Sequence, residues 1–310
     1  MKKVLFMGTP QFAVPSLAAL LEAHEVVAVV TQPDAPAGRG KALAASPVKQ
    51  LAVSRGVPVL QPPSLKPAEV VEALRAYQPD VIVVAAFGQI LRRDVLDLPP
   101  HKCINVHASL LPRWRGAAPI NAAIAAGDTT TGVTIMLMEA GLDSGPMLSQ
   151  REIRIGPDDT AGALTEVLSH VGAELLVETL PGWLDGSIRP KQQNEALVTF
   201  APRMTKEQGR IDWSRRADEI ERHVRAMTPW PSAFTRWNGM QLKIVRARMA
   251  SGELPSKASN GAVIADYNRC FVQCGDGLLQ LFEVQLEGKK PMLIDVFLRG
   301  HGAFSAAVLG

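Results

Sequence analysis

Cysteine is scarce in this sequence. The 310 residues hold three, Cys103, Cys270 and Cys274. Three thiols cannot make a disulfide framework, which fits a reducing compartment. Cys270 and Cys274 stand close together but have no histidine nearby, so a zinc site is a poor reading and no metal is expected. Aromatic residues are few, at 5 %, with tryptophan concentrated late in the chain. Hydrophobic residues still make up 47 %, enough to bury a substantial core. No apolar run approaches the length that spans a bilayer. The opening Met1-Lys2-Lys3 leads into Val4-Leu5-Phe6-Met7-Gly8, too short for a signal segment, and reads as a first strand. The expectation is a soluble cytoplasmic protein with no membrane partner. The turn after that strand, Gly8-Thr9-Pro10, lacks the G-x-G-x-x-G glycines, which argues against an NAD or FAD site. No serine in a strained elbow and no Cys-His pair offers a nucleophile.

Charge is nearly balanced at +3, but it is unevenly spread. From Lys206 onward there are 15 basic and 11 acidic residues, against 18 and 19 before it. Between Arg210 and Arg248 the ratio is nine to four. A modest basic surplus late in the chain is compatible with nucleic acid and equally with an ordinary solvated surface.

The first half alternates short apolar runs with amphipathic stretches. Val4–Met7, Glu25–Thr31, Val81–Ala85 and Cys103–Val106 read as strands, and Gly132–Met138 as another. Ala13–Glu22, Pro47–Arg55 and Pro67–Tyr77 read as helices. This order predicts an α/β, Rossmann-like parallel sheet. A helix from Asp159 or Thr160 should stop at Thr179-Leu180-Pro181-Gly182. A polar stretch punctuated by proline follows. Beyond it, a helix at Asp218–Met227 and short strands at near-regular spacing suggest a small β-barrel of the OB type. The expected domains are 1–189, a linker at 190–207, and 208–310.

The chemistry concentrates at Asn105-Val106-His107, with Gly141-Leu142-Asp143-Ser144-Gly145 downstream. Residues i and i+2 of a strand share a face, so Asn105 and His107 stand side by side at the carboxyl end of their strand. An amide and an imidazole can stabilise an oxyanion. A carboxylate arriving on another loop can tune the imidazole or take a proton from an amine. That set suits acyl or one-carbon transfer to an amine. Each residue has a plainer reading: a structural histidine, an amide pinning a loop, an aspartate in a turn.

These residues resemble a known family. Asn-x-His followed by Ser109-Leu110-Leu111-Pro112 and the later Gly-Leu-Asp-x-Gly are similar to the folate-dependent formyltransferases. The run Ser109–Ile120 resembles the branch whose acceptor is initiator methionyl-tRNA. So do Thr31-Gln32-Pro33-Asp34, Gly38-Arg39-Gly40-Lys41 and Ser46-Pro47-Val48-Lys49. The resemblance implies 10-formyltetrahydrofolate as donor and makes Asn105, His107 and Asp143 the catalytic group. It implies a pterin slot at Phe87, Gly88, Ile90 and Leu91, though the apolar three could equally be core. It assigns Ser109, Leu110, Leu111 and Pro112 to folate contact. The loop from Asp34 to Lys49, with Arg39, Lys41 and Lys49, would meet the tRNA backbone. Arg113, Trp114 and Arg115 would shape the acceptor entrance. Ala108 and Ala35 depart mildly from the family pattern. The implied enzyme is a monomer that formylates the methionyl α-amine and so serves translation initiation. A formyltransferase for a nucleotide sugar or glycinamide ribonucleotide, a hydrolase of the formylated folate and a non-catalytic RNA-binding module remain as rivals.

Overall fold

The computed structural model describes residues 2–37, 42–250, 258–267 and 269–310. The chain forms two compact units. The first comprises residues 1–119, 130–154 and 165–201; the second comprises 120–129, 155–164 and 202–310.

The first unit carries strands β1 Lys3–Gly8, β2 Glu25–Val30, β3 Ala35–Ala37, β4 Ala42–Ala44, β5 Val59–Leu60, β6 Val81–Ala85, β7 Cys103–His107, β8 Arg115–Gly116, β9 Thr130–Leu137, β10 Met147–Arg154 and β11 Phe200–Ala201. The helices in chain order are α1 Val14–Ala23, α2 Pro47–Ser54, α3 Ala68–Arg75, α4 Arg93–Leu96, α5 Pro119–Ala126, which belongs to the second unit from residue 120 on, and α6 Ala161–Leu184, which belongs to the first from residue 165 on. Seven strands make one sheet in the order β10-β9-β7-β6-β1-β2-β5. From β7 to β5 all neighbours are parallel. β6, Val81-Ile82-Val83-Val84-Ala85, is buried at every residue, as a parallel strand covered on both faces must be.

The sheet departs from the expected pattern at one edge. β9 runs antiparallel to β7, and β10, which the sequence reading missed, runs antiparallel to β9. The connection 138–146 is shorter than the dozen or so residues a parallel crossover needs, so β10 turns straight back. Gly8 closes the first strand–helix turn. A Cβ there would stand 2.8 Å from both the Ala13 Cβ and the Phe6 ring, so only glycine lets the turn pack this tightly.

One further expectation is corrected here. α6 does not stop at Thr179–Gly182; it carries Pro181 inside it and runs on to Leu184. Proline forfeits one helical hydrogen bond. Burial of Leu176 and Leu180, and the Trp183 indole donating to His101 O at 2.8 Å, hold the last turns in place. The polar stretch 190–207, read from the sequence as a linker or a long ordered connection, includes paired chain. It contains β11, which pairs in parallel with β8 through Phe200 with Arg115 and Ala201 with Gly116.

The second unit is built on α7 Ala217–Met227, strands β12 Phe234–Trp237, β13 Met240–Met249, β14 Val263–Asp266, β15 Arg269–Gln273, β16 Leu278–Leu286 and β17 Met292–Leu293, and α8 Ile294–Gly300. The sheet is antiparallel in the order β12-β13-β16-β15-β14, with β17 on β16. The C-terminal residues join its two edges. Val263 N donates to Ala307 O and Leu309 N to Gly261 O, both at 2.8 Å, and Gly310 N reaches Arg236 O at 3.3 Å. The sheet thereby closes in the manner of the expected small barrel. Inside it, Trp237 meets Phe297 and Phe304 edge-on at 5.7 and 5.2 Å. Cys270 and Cys274 are core residues, and burial pushes their thiols up to about 12. Among the described residues no helix is long and apolar enough to cross a membrane.

Candidate active site

β7 ends at the carboxyl edge of the parallel sheet, and its last residues are Asn105, Val106 and His107. β9 lies beside it in a register that sets Met136 opposite Asn105 and Thr134 opposite His107. Asn105 is 9 % exposed and His107 5 %. Asp143 arrives on the loop between β9 and β10. Its Oδ2 stands 3.7 Å from His107 Nδ1, so these two sequence-assigned residues meet, and Asn105 lies two positions before His107 on the same strand face. At that distance the attraction is full only when the imidazole carries its proton.

The partners of each group restrict its role. His107 Nε2 lies 3.0 Å from Trp114 O. A carbonyl only accepts, so Nε2 carries a hydrogen and Nδ1 is the nitrogen that faces the aspartate. Asp143 Oδ2 accepts the Gly116 N–H at 2.8 Å, whereas Oδ1 has no hydrogen-bond partner among the described residues. The Asn105 carboxamide likewise makes no side-chain hydrogen bond among them. It leaves a donor and an acceptor available for a ligand.

A second layer, which sequence reading missed, holds this trio. Gln193 is 8 % exposed and uses both ends of its amide. Its Nε2 donates to Asp143 O at 2.7 Å and Gly145 O at 2.8 Å, while its Oε1 accepts from Arg115 Nε at 3.0 Å. The Arg115 guanidinium, 4 % exposed, also pairs with Glu195 at 2.6 Å. That contact holds the Glu195 carboxyl below its usual range. Thr199 Oγ1 accepts from Trp114 N at 2.9 Å. Trp114 and Asp143 both lie in the left-handed region, at φ 64° and 47°. Such conformations cost ~1–3 kcal/mol each and persist where surrounding contacts over-determine them. Gly116, at φ 120°, is pressed so close to Ala201 O that a Cβ would stand 2.5 Å from it. Residues 114–116, 143–145 and 193–201 thus form one fastened assembly around His107. Gln193 stands 50 positions from Asp143; no spacing or periodicity in the sequence announces such a pair.

The other assigned residues divide. Phe87 and Leu91, at 2 % and 4 % exposure, pack into the core with Leu5, Val30 and Ile82. Their side chains follow the plainer reading. Gly88, at φ 85°, and Ile90, 86 % exposed, lie at the surface of the same loop. Ser109 is fully buried and donates to Arg113 O at 2.6 Å. Leu111 packs with Met136 and Met147, and Leu110 and Pro112 flank it in the same turn. Thr134 and Gln150 pin that turn through Ser109 O, Leu111 N and Leu111 O at 2.6–3.1 Å. Arg115 points inward and does not border an entrance. Lys49 is committed to Asp34 at 2.7 Å. Asp34 is held low by that hydrogen bond and a second from Gln61. Arg39 and Lys41 lie outside the described residues.

Comparison with known proteins identifies the family of the chain. Residues 1–180 match the family model described as formyl transferase, and residues 203–302 match the formyl transferase C-terminal domain. The methionyl-tRNA formyltransferase of Myxococcus xanthus is 50 % identical over 299 residues, covering 96 % of this chain and 95 % of its own. That of Magnetococcus marinus is 51 % identical over 310 residues, covering 99 % and 98 %. A sugar 3N-formyl transferase crystallised with dTDP and 5-N-formyl-THF superposes with a TM-score of 0.68. It is 18 % identical and covers 94 % of this chain and 99 % of its own, a likeness of fold.

Proposed function

The chain belongs to the formyl transferase family, and we propose that it moves a formyl group from 10-formyltetrahydrofolate to the α-amine of initiator methionyl-tRNA. The observation that carries the chemistry is the approach of Asp143 Oδ2 to His107 Nδ1 at 3.7 Å, at the sheet edge where Asn105 shares the strand face of His107. The donor set fits a formyl donor: an amide without an internal partner, an imidazole nitrogen turned to a carboxylate, and a carboxylate oxygen left over. The formylated folate supplies an activated one-carbon group and leaves as tetrahydrofolate.

The remaining steps fall to the chain. The Asn105 amide donates to the formyl oxygen as it gathers negative charge during attack. Donors already in place at that atom do not have to reorganise during the reaction. His107, its ring fixed from behind by Nε2–H donating to Trp114 O, supports the same charge through Nδ1 when both ring nitrogens carry hydrogen. Asp143 Oδ1 takes the proton that the attacking amine loses, directly or through water. Gly116 N–H and Gln193 hold the aspartate loop while this happens. The exposed backbone around Gly88 and the turn at Ser109–Pro112 border the folate. Residues 1–189, fastened by Gln193 and the stretch up to Ala201, carry the chemistry and 208–310 hold the tRNA, with the basic surplus after Lys206 supplying sequence-tolerant attraction. The protein acts as a cytoplasmic monomer, where charged initiator tRNA is made.

Formyl transfer measured with the formylated folate and charged initiator tRNA tests the reading. Asn105→Ala should lower the rate by about 10²–10³, the loss typical of one oxyanion donor. Formate release with no formylated tRNA would contradict transfer and favour hydrolysis.

A further inference from the structure

The second unit contains a cleft of about 600 Å³ that the chemistry above does not use. It is formed beside the outer face of β12 and β13. Alternation along these strands buries Thr235, Trp237, Leu242 and Ile244 and turns Phe234, Arg236 and Lys243 outward. Phe234 stands opposite Lys243 in the ladder. Lys206, Arg210 and Trp230 complete the walls, and Glu207 is the one acid among the lining residues.

Two features of this cleft stand out. Trp230 is 52 % exposed, an unusual position for a large apolar ring. It sits between Pro229 and Pro231, whose rings fix the local backbone. Lys206, Arg210 and Lys243 take part in no ion pair among the described residues, although surface pairs are common elsewhere on this unit, as at Arg216–Asp218 and Arg222–Asp218. Four cations against one carboxylate call for an anion. A half-exposed indole and a neighbouring phenyl ring call for a flat apolar face. The volume lies in the range of small-ligand sites. An unpaired nucleotide satisfies all three demands, with a phosphate for the cations and a base for the ring. A-form duplex RNA keeps its bases stacked inside, out of reach of a surface indole. An acidic peptide would match the cations but leave Trp230 and Phe234 uncovered.

We propose that this cleft stacks an unpaired nucleotide of the tRNA on Trp230 while Arg236 and Lys243 neutralise its phosphates. The proposal rests on the acceptor reading above and adds where and how a single-stranded part of that acceptor is held.

The test uses the full-length protein and a labelled single-stranded oligoribonucleotide of about eight nucleotides, close to the site sizes of small single-strand binders. A duplex RNA of equal length and polyglutamate serve as comparisons. Trp230→Ala should weaken single-strand binding about 5- to 100-fold, the loss expected of one base–aromatic stack, while Trp230→Phe keeps most of the affinity. Lys243→Gln should lower the slope of log affinity against log salt by about 0.7, one phosphate contact to a single strand, and Trp230→Ala should leave that slope unchanged. Unaltered thermal unfolding and folate titration confirm that all three variants fold. Undiminished binding by Trp230→Ala, equal affinity for duplex RNA, or equal displacement by polyglutamate would each overturn the proposal. Transfer to charged tRNA by the unaltered protein is measured alongside. Its absence overturns the enzymatic reading, whereas transfer together with undiminished binding by Trp230→Ala overturns only the cleft.

Discussion

Gln193 shows how much of this site depends on a side chain that does no chemistry. One amide satisfies two carbonyls of the aspartate loop and one nitrogen of a buried guanidinium. Replacing it with alanine strands all three groups in a buried setting. An unsatisfied buried polar group costs ~1–3 kcal/mol, so Gln193→Ala should lower the thermal midpoint by several degrees. It should also lower kcat more than it raises the KM for folate, since the aspartate is displaced while the Ser109–Pro112 turn, the proposed folate contact, keeps its bonds to Thr134 and Gln150. Steady-state kinetics beside thermal unfolding check both effects. The sequence made Asn105, His107 and Asp143 legible because strand alternation and a motif place two of them on one face and the third in a loop. It concealed Gln193 and Thr199, whose partners lie far away in the chain. The buried Phe87 and Leu91 illustrate the opposite ambiguity, because an apolar residue reads the same as core or as pocket wall until the fold is known.

At the scale of elements, legibility followed periodicity. β6 and β12 are read to within a residue because burial on both faces, or strict alternation, leaves one interpretation. β10 escaped because its polar, charged alternation, Met-Leu-Ser-Gln-Arg-Glu-Ile-Arg, belongs to an edge strand with one open face. Proline punctuation failed at α6, where packing outweighed one missing hydrogen bond. α7 offers a test of element electrostatics. The Arg216 guanidinium beside Asp218, with Arg222 one turn further on, holds the Asp218 carboxyl down to about 2. The unfolded chain binds that proton near pH 3.9. Stability from this pair is therefore complete above the unfolded value and is lost as pH falls toward 2. Asp218→Asn should be less stable than the parent near neutral pH. The difference should shrink as pH drops below about 4 in denaturant titrations. A difference independent of pH would remove the charge from the account.

At the scale of the whole molecule, the two units are interleaved in sequence. Residues 120–129 and 155–164 belong to the second unit. Within it Asn121 donates to Ala226 O at 2.7 Å, Gly162 N donates to Thr228 O at 3.0 Å, and Ile124 is 1 % exposed. A boundary drawn near 189 also cuts away Gln193, Glu195 and β11, which fasten the Asp143 loop and the Trp114–Gly116 segment against it. Truncation after Arg189 should therefore abolish activity for a local reason, whatever the tRNA contacts are. A chain ending at Ala201 keeps those fasteners but strips the packing from Ile120, Ala123, Ile124 and Leu164. Burying such side chains contributes ~1.5–3 kcal/mol each for the larger ones, so this chain should aggregate or unfold well below the parent in a thermal melt. A soluble, equally stable 1–201 fragment would show that the insertions stand on their own.

The central claim is that Asp143, turned to His107 Nδ1 and left with one free oxygen, takes the amine proton during formyl transfer. Single-turnover transfer to charged initiator tRNA by Asp143→Asn measures this most directly. The asparagine can still accept from Gly116 N–H but cannot take a proton. The account predicts a rate lower by about 10²–10⁴, the range for losing a positioned general base, with folate affinity and thermal midpoint close to the parent. A rate close to the parent's at every pH tested would contradict it.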